Sequence, residues 1–298
     1  GENGIVYSCI THDFGRQAGR CGVGAVMGSK KIKAIAVRGT KGLKCYDVEG
    51  LASLTYDIIQ RTKPHPNMAP WQKYGTAFFV GWSNERGCFP TRNFQQTYFE
   101  DWKEIDGERL VEDCLISDKA CFGCWINCGK YAKAKVPGKP DKYVEGPEYE
   151  TIGSLGSTCG VSDVVAMSQA NVLCNAYSLD TIGTGLAVAF GMECFEEELI
   201  STEDTGGIEL RFGNGEAMVA MVEKIAKRED IGDVLAKGLV PAAAEIGGDA
   251  VKIKISGPEV VPIFEQLQPV ASGVFDMLYT HPVFHAGEGG LALTVDAI

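Results

Sequence analysis

The sequence predicts an α+β fold, with a mainly helical middle and strand at both ends. Two sets of observations carry that expectation. Met218, Met221, Val222 and Ile225 form an i, i+3, i+4, i+7 stripe, and Leu235, Leu239, Ala242 and Ile246 form another; this is the period of helices with one face in a core. "KIKAIAVRG" (31–39) is a short apolar run closed by Gly39, and "VKIKI" (251–255) alternates strictly, so both suit strands.

Taken in order, the chain opens on a stretch rich in glycine and small residues, "DFGRQAGRCGVGAVMGSKK", which leads into the 31–39 strand. From about Asp47, Val48, Leu51, Leu54 and Ile58 repeat near 3.6 and predict a helix. "KPHPNMAPWQKYGTAFFVGW" is punctuated by Pro64, Pro66 and Pro70 and reads as loop. Residues 86–120 show no clear period. A helix is expected to start near Ser162 as N-cap, with Asp163 in its first turn, and to run to about Tyr177. A second is expected from about Gly183 to Glu198. Neither an internal repeat nor a low-complexity tract is visible.

Bulk composition narrows the function. Of 298 residues, 45% are hydrophobic and 22% charged, the balance of a folded globular protein. A net charge of −11, from 28 basic and 39 acidic residues, argues against a nucleic-acid surface, which needs clustered Lys and Arg. No apolar run approaches the roughly 20 residues that span a bilayer. The first residues lack the pattern of a signal peptide. The abrupt opening "GENGIVYSCI" and closing "GGLALTVDAI" suggest an internal piece of a longer, cytoplasmic polypeptide.

Eleven cysteines in an odd count, on a chain of this length, speak against a disulfide framework. Cys9, Cys21, Cys45, Cys88, Cys159, Cys174 and Cys194 stand singly and read as small buried hydrophobes. "CFGCWINC" is different: Cys121, Cys124 and Cys128 share one short C-x2-C-x3-C stretch. A structural zinc site ordinarily adds a second cysteine pair or two histidines. His281 and His285 have H-x3-H spacing, but Pro282 and Phe284 between them suggest a loop. Three thiolates on one tight loop suit three corners of a [4Fe–4S] cluster, with zinc and inert thiols as alternatives. Cys114 is the nearest spare thiol.

"GRQAGRCGVGAVMG" carries Gly15, Gly19, Gly22, Gly24 and Gly28 with Arg16 and Arg20. Glycine backbone and arginine can hold phosphate, but ordinary turn glycines read the same way. As a dinucleotide fingerprint it fails, because it precedes a strand-like run and no acid follows about 20 residues on.

Together, "GENGIVYSCI", "GRQAGRCGVGAVMGSKKIKAIAVRGTKG", "KYGTAFFV", "CFGCWINCGKY", "EGPEYETIGSLGSTCGV" and "NAYSLDTIGTGLAVAFGMEC" occur in the order seen in aldehyde:ferredoxin oxidoreductases. The chain resembles that family over about residues 1–247. The resemblance implies three parts: the end of a β domain that cradles the pterin cofactor (1–45), a helical domain with the cluster cysteines (46–247), and the start of a truncated further domain (248–298). It also implies a tungsten or molybdenum bis-pyranopterin, a [4Fe–4S] cluster and a magnesium ion bridging the pterin phosphates. Cys121, Cys124 and Cys128 would be cluster ligands, with the fourth cysteine coming from a C-terminal domain. Arg16, Gln17, Ala18 and Arg20 would meet the pterin phosphates and magnesium. Glu150 in "GPEYE" would stand near the metal to position or deprotonate water. Asn175 and Asp180 would contact the pterin, although many members carry Asp at the first position. An E-x-x-H iron pair of some members falls on Gln169 and Val172, so no such iron is expected.

The reaction so implied is oxidation of a small aldehyde to a carboxylic acid, with electrons passed to ferredoxin or an electron-transfer subunit in a homo- or hetero-oligomer. Two other readings share the residues: the tungsten subunit of a benzoyl-CoA-reductase-type complex, and a pterin-free iron–sulfur electron carrier. After Ile255 the resemblance fades.

Overall fold

The structure, a computed structural model, describes residues 1–13, 15–134 and 140–247. An antiparallel hairpin of β1 (Ile10–His12) and β2 (Arg16–Ala18) comes first, with Thr11 opposite Gln17 and His12 opposite Arg16. A short helix, α1 (Val23–Ser29), follows and lies directly on the backbone of the first nine residues. That approach explains two glycines: a side chain at Gly24 would strike the carbonyl of Cys9, and one at Gly28 that of Gly1.

Residues 32–47 form no regular element, and the strand expected over 31–39 is absent. A strand needs a partner for its ladder, and none of the described strands pairs with this run. Val37 and Leu43 are accordingly 89% and 96% exposed. The helix expected from Asp47 is found as α2 (Val48–Thr62), with the Asp47 side chain accepting from Gly50 N at 2.8 Å. It buries none of its residues.

The proline-punctuated segment is a correction to the sequence reading. It forms α3 (Met68–Tyr74) and α4 (Phe79–Glu85), joined by a 3-10 turn over Gly75–Phe78. Pro70 sits in the first turn of α3, where its missing N–H is no loss, and Gly75 ends that helix at φ +62°. After α5 (Gly107–Asp113) comes a second correction: three strands lie in the middle of the chain. β3 (Leu115–Lys119), β4 (Gly129–Ala134) and β5 (Lys142–Glu145) make an antiparallel sheet in that order.

The core is helical. α6 (Tyr149–Leu155) packs on α8 (Thr181–Glu196), and α7 (Val164–Tyr177) packs on α9 (Gly215–Lys227). α8 is apolar on nearly every side and runs through the middle of the core, as such a helix must. Asp163 is the N-cap of α7, one residue after the expected Ser162, and it accepts from Val165 N and Ala166 N. Met218, Met221, Val222 and Ile225 are buried as their stripe predicts. The stripe over 235–246 is split between α10 (Ile231–Leu235) and α11 (Leu239–Gly247), because Gly238 at φ +91° breaks it. "VKIKI", His281 and His285 lie outside the described residues. No described helix is long and apolar enough to cross a membrane.

Candidate functional site

Three parts of the chain meet around a cavity of about 400 Å³: the β1–β2 hairpin, the segment from β5 into α6, and the junction of α7 and α8. Its walls include Arg16, Gln17, Arg20, Glu145, Glu148, Glu150, Asn171, Asn175 and Asp180. Six of the residues named by sequence therefore converge here from positions up to 164 apart. Ala18 does not line the cavity; it is exposed at the end of β2, opposite Ile10.

The wall is tied together by its own polar groups. Gln17 Nε2 donates to Asn175 Oδ1 at 2.8 Å, and Asn175 Nδ2 donates to Asn171 O at 2.9 Å. Asn171 Nδ2 in turn donates to Glu145 O at 3.2 Å. Thr76 Oγ1 donates to Glu148 Oε2 at 2.5 Å and accepts from Tyr149 N, which anchors the start of α6 and so sets Glu150 in its first turn. Asp180 has a structural duty as well: as N-cap of α8 it accepts from Gly183 N at 3.0 Å and Ile182 N at 3.3 Å. Burial raises the Asp180 pKa above its ordinary value, while the Gly183 hydrogen bond and the charge of Arg20 oppose that rise. Cys9, also in the wall, is pushed up to about 12, chiefly by burial.

Glu145, which the sequence reading passed over, is the most buried acid of the wall. Its side chain is 3% exposed, with Oε1 at 2.5 Å from Arg16 Nη2 and Oε2 at 2.6 Å from Lys119 Nζ. Burying a carboxylate is costly unless cations and donors replace its water, and here each oxygen has one. The signal that could have exposed it is the end of "KYVE", where the acid directly follows Val144 and precedes Gly146 and Pro147. Gly15, at φ +129°, lets the hairpin reach this wall; a side chain there would come within 3.1 Å of Glu145 Cβ.

Cys121, Cys124 and Cys128 occupy the loop that joins β3 to β4. Cys121 is exposed and the other two are half-buried, while Phe122 between them is fully exposed. Cys124 N donates to Cys121 O at 3.0 Å, which folds this segment into a turn. Among the described residues, no three His, Cys, Asp or Glu side chains are gathered tightly enough to hold a single ion. Cys9, Cys159, Cys174 and Cys194 are buried as expected, whereas Cys21 and Cys45 are exposed and Cys88 is half-buried. Cys114 is buried, with Sγ 3.5 Å from Ser168 Oγ.

Both regions suit the groups that the resemblance implies. Two guanidinium groups among four carboxylates would repel a bare dianion, yet they suit phosphates accompanied by a divalent cation. The loop offers three thiols on one short tether, a donor set matched to a cluster larger than one ion.

A cavity of this size with converging charged groups, on an α+β scaffold, is a candidate small-molecule site. The family model for the N-terminal domain of aldehyde ferredoxin oxidoreductase matches residues 1–39, and that for its domains 2 and 3 matches residues 53–266. The chain belongs to the aldehyde ferredoxin oxidoreductase family. It is 41% identical over 240 residues to a tungsten-containing aldehyde ferredoxin oxidoreductase of Thermococcus kodakarensis, covering 80% of this chain and 39% of that protein. An aliphatic sulfonate oxidoreductase, WOR-like subunit, of Pyrococcus furiosus is 27% identical over 292 residues, covering 96% of this chain and 45% of that one. Among solved structures, the active-site complex of benzoyl coenzyme A reductase with a dienoyl-CoA shares the fold, at a TM-score of 0.67 and 24% identity over 90% of this chain and 44% of that one. The chain thus spans less than half the length of the relatives it matches.

Proposed function

We propose that the chain is part of a tungsten-pterin oxidoreductase that oxidises an aldehyde to a carboxylic acid. The observation that carries this reading is the 41% identity to a protein named as such, over 240 residues. The weaker 27% identity to the sulfonate enzyme makes the aldehyde the preferred substrate class. Water supplies the new oxygen, so each turnover releases two electrons and two protons.

When bound, the pterin–metal group would supply a two-electron acceptor and a [4Fe–4S] cluster a one-electron relay, with ferredoxin or an electron-transfer subunit as the external acceptor. This chain's residues bind and orient. Arg16 and Arg20 would hold phosphate with Gln17 beside them, and a magnesium ion would balance the carboxylates; Ala18, outside the cavity, takes no part. Asn175, fixed by Gln17 and Asn171, and Asp180 present polar groups to the pterin. Glu150, held at the start of α6, positions water and accepts its proton. Cys121, Cys124 and Cys128 would ligate three irons of the cluster. We place the end of the pterin-cradling domain at about residue 45, the helical domain at 46–247 and a further domain beyond, in a cytoplasmic enzyme.

The full-length protein, purified without oxygen, should contain tungsten and about four irons per chain. It should reduce a viologen dye when given an aldehyde. Zinc alone in the metal analysis overturns the reading, as does turnover of sulfonates or aromatic acyl-CoA with none of any aldehyde.

A further inference from the structure

We infer that Glu145 is a positioning residue that couples the cavity to the cysteine loop, holding Arg16 on one carboxylate oxygen and Lys119 on the other. The inference rests on the cofactor assignment proposed above. Its geometry is independent of it.

Arg16 belongs to β2 and lines the cavity. Lys119 is the last residue of β3, two positions before Cys121, and its strand partner is Gly129, the residue after Cys128. Both ends of the cysteine loop are therefore pinned beside one carboxylate. Lys119 Nζ also donates to Asp13 O at 2.8 Å, so the same ammonium reaches the tip of the β1–β2 hairpin. Gly129 closes the arrangement. A side chain there would come within 3.0 Å of both Arg16 Nη2 and Glu145 Oε1, and within 2.7 Å of Lys119 O. The backbone carrying Cys128 thus runs against the guanidinium that faces the cavity, with Glu145 between the two cations.

A carboxylate 3% exposed is poorly screened, so its charge acts over a longer range than a surface acid's. A reduced cluster carries one more negative charge than an oxidised one. Neutralising Glu145 takes the nearest negative charge from Arg16 and Lys119, leaving each only a carboxylate at 3.7 Å (Glu148 and Asp13), and so favours the reduced cluster. Neutralising Lys119 leaves Glu145 with one cation fewer and favours the oxidised cluster. A purely structural role for the pair gives no such opposition of sign.

The test is a dye-mediated redox titration, followed by electron paramagnetic resonance, of full-length holoprotein carrying Glu145→Gln or Lys119→Gln. The cluster midpoint potential should move positive in the first variant and negative in the second, with iron per chain unchanged. Potentials that do not move, or that move in the same direction, overturn the inference. If Glu145→Gln does not accumulate as folded protein, Lys119→Gln decides alone: a negative shift supports the inference, and any other result overturns it. Wild-type protein without an iron–sulfur cluster removes the proposed function and this inference together. A cluster present with unmoved potentials removes this inference only.

Discussion

The cavity wall and the cysteine loop lie on either side of Glu145, and they are built on opposite principles. In the wall, the side chains satisfy one another: Gln17, Asn175 and Asn171 form a chain of hydrogen bonds, and Asp180 caps a helix. In the loop, two thiols are half-buried, one is exposed, and the aromatic ring between them is 103% exposed. The wall is tied together by hydrogen bonds among its own residues. The loop runs between strand ends at Lys119 and Gly129, with residues 121–123 exposed and 124–128 half-buried. A site that must orient substrate gains from the first arrangement, and one that wraps a cluster can use the second.

The contrast is broken most severely from the wall side. Gly185 of α8 lies against Ser154 of α6, where a side chain would meet backbone atoms at 2.6 Å. Gly185→Ala should separate the two helices that set Glu150 and Asp180, at about 3 kcal/mol by denaturant titration. An unchanged midpoint would mean that the packing of α6 on α8 does not fix the wall.

A milder change keeps the packing and removes one bond set. Asp180→Ala should cost about 1–2 kcal/mol by loss of the α8 cap. Asp180→Asn adds a test in pH. Because the folded pKa of Asp180 lies above its ordinary 3.8, the folded state keeps the proton longer than the unfolded state. Stability from this group is therefore lost as pH rises above 3.8 through the folded pKa. The stability of wild type relative to Asp180→Asn should fall across that interval, and a difference that rises with pH contradicts the assignment. On the loop side, Phe122→Ser should change stability by no more than about 0.5 kcal/mol, because the ring loses no burial. A larger loss would show that the loop packs on something.

The same contrast explains what the sequence made legible. The cysteine triplet announces itself by spacing, and α9 by the stripe of Met218, Met221, Val222 and Ile225. Convergence does not appear in a pattern: Arg16, Glu145 and Asn175 are brought together by tertiary structure alone. The three-stranded sheet was hidden because its strands are short and carry Lys and Asp on their faces, so the alternation of a buried strand is blurred. Pro70 misled for the opposite reason, since a proline in the first turn of a helix looks in sequence like a proline in a loop. The glycines of "GRCGVGAVMG" read equally as phosphate-binding or turn glycines in sequence, and Gly24 and Gly28 serve the close approach of α1 to the first residues. Ala18 was named from its neighbours in the motif, and the pleat of β2 turns it outward.

The central claim is that two separate groups occupy these two regions. Elemental analysis of tungsten and iron, in parallel on full-length wild type and Cys124→Ser purified without oxygen, tests it most directly. The account predicts tungsten in both proteins, about four irons per wild-type chain, and loss of most iron from the variant. Iron retained in full by Cys124→Ser, or tungsten absent from the wild type, would contradict it.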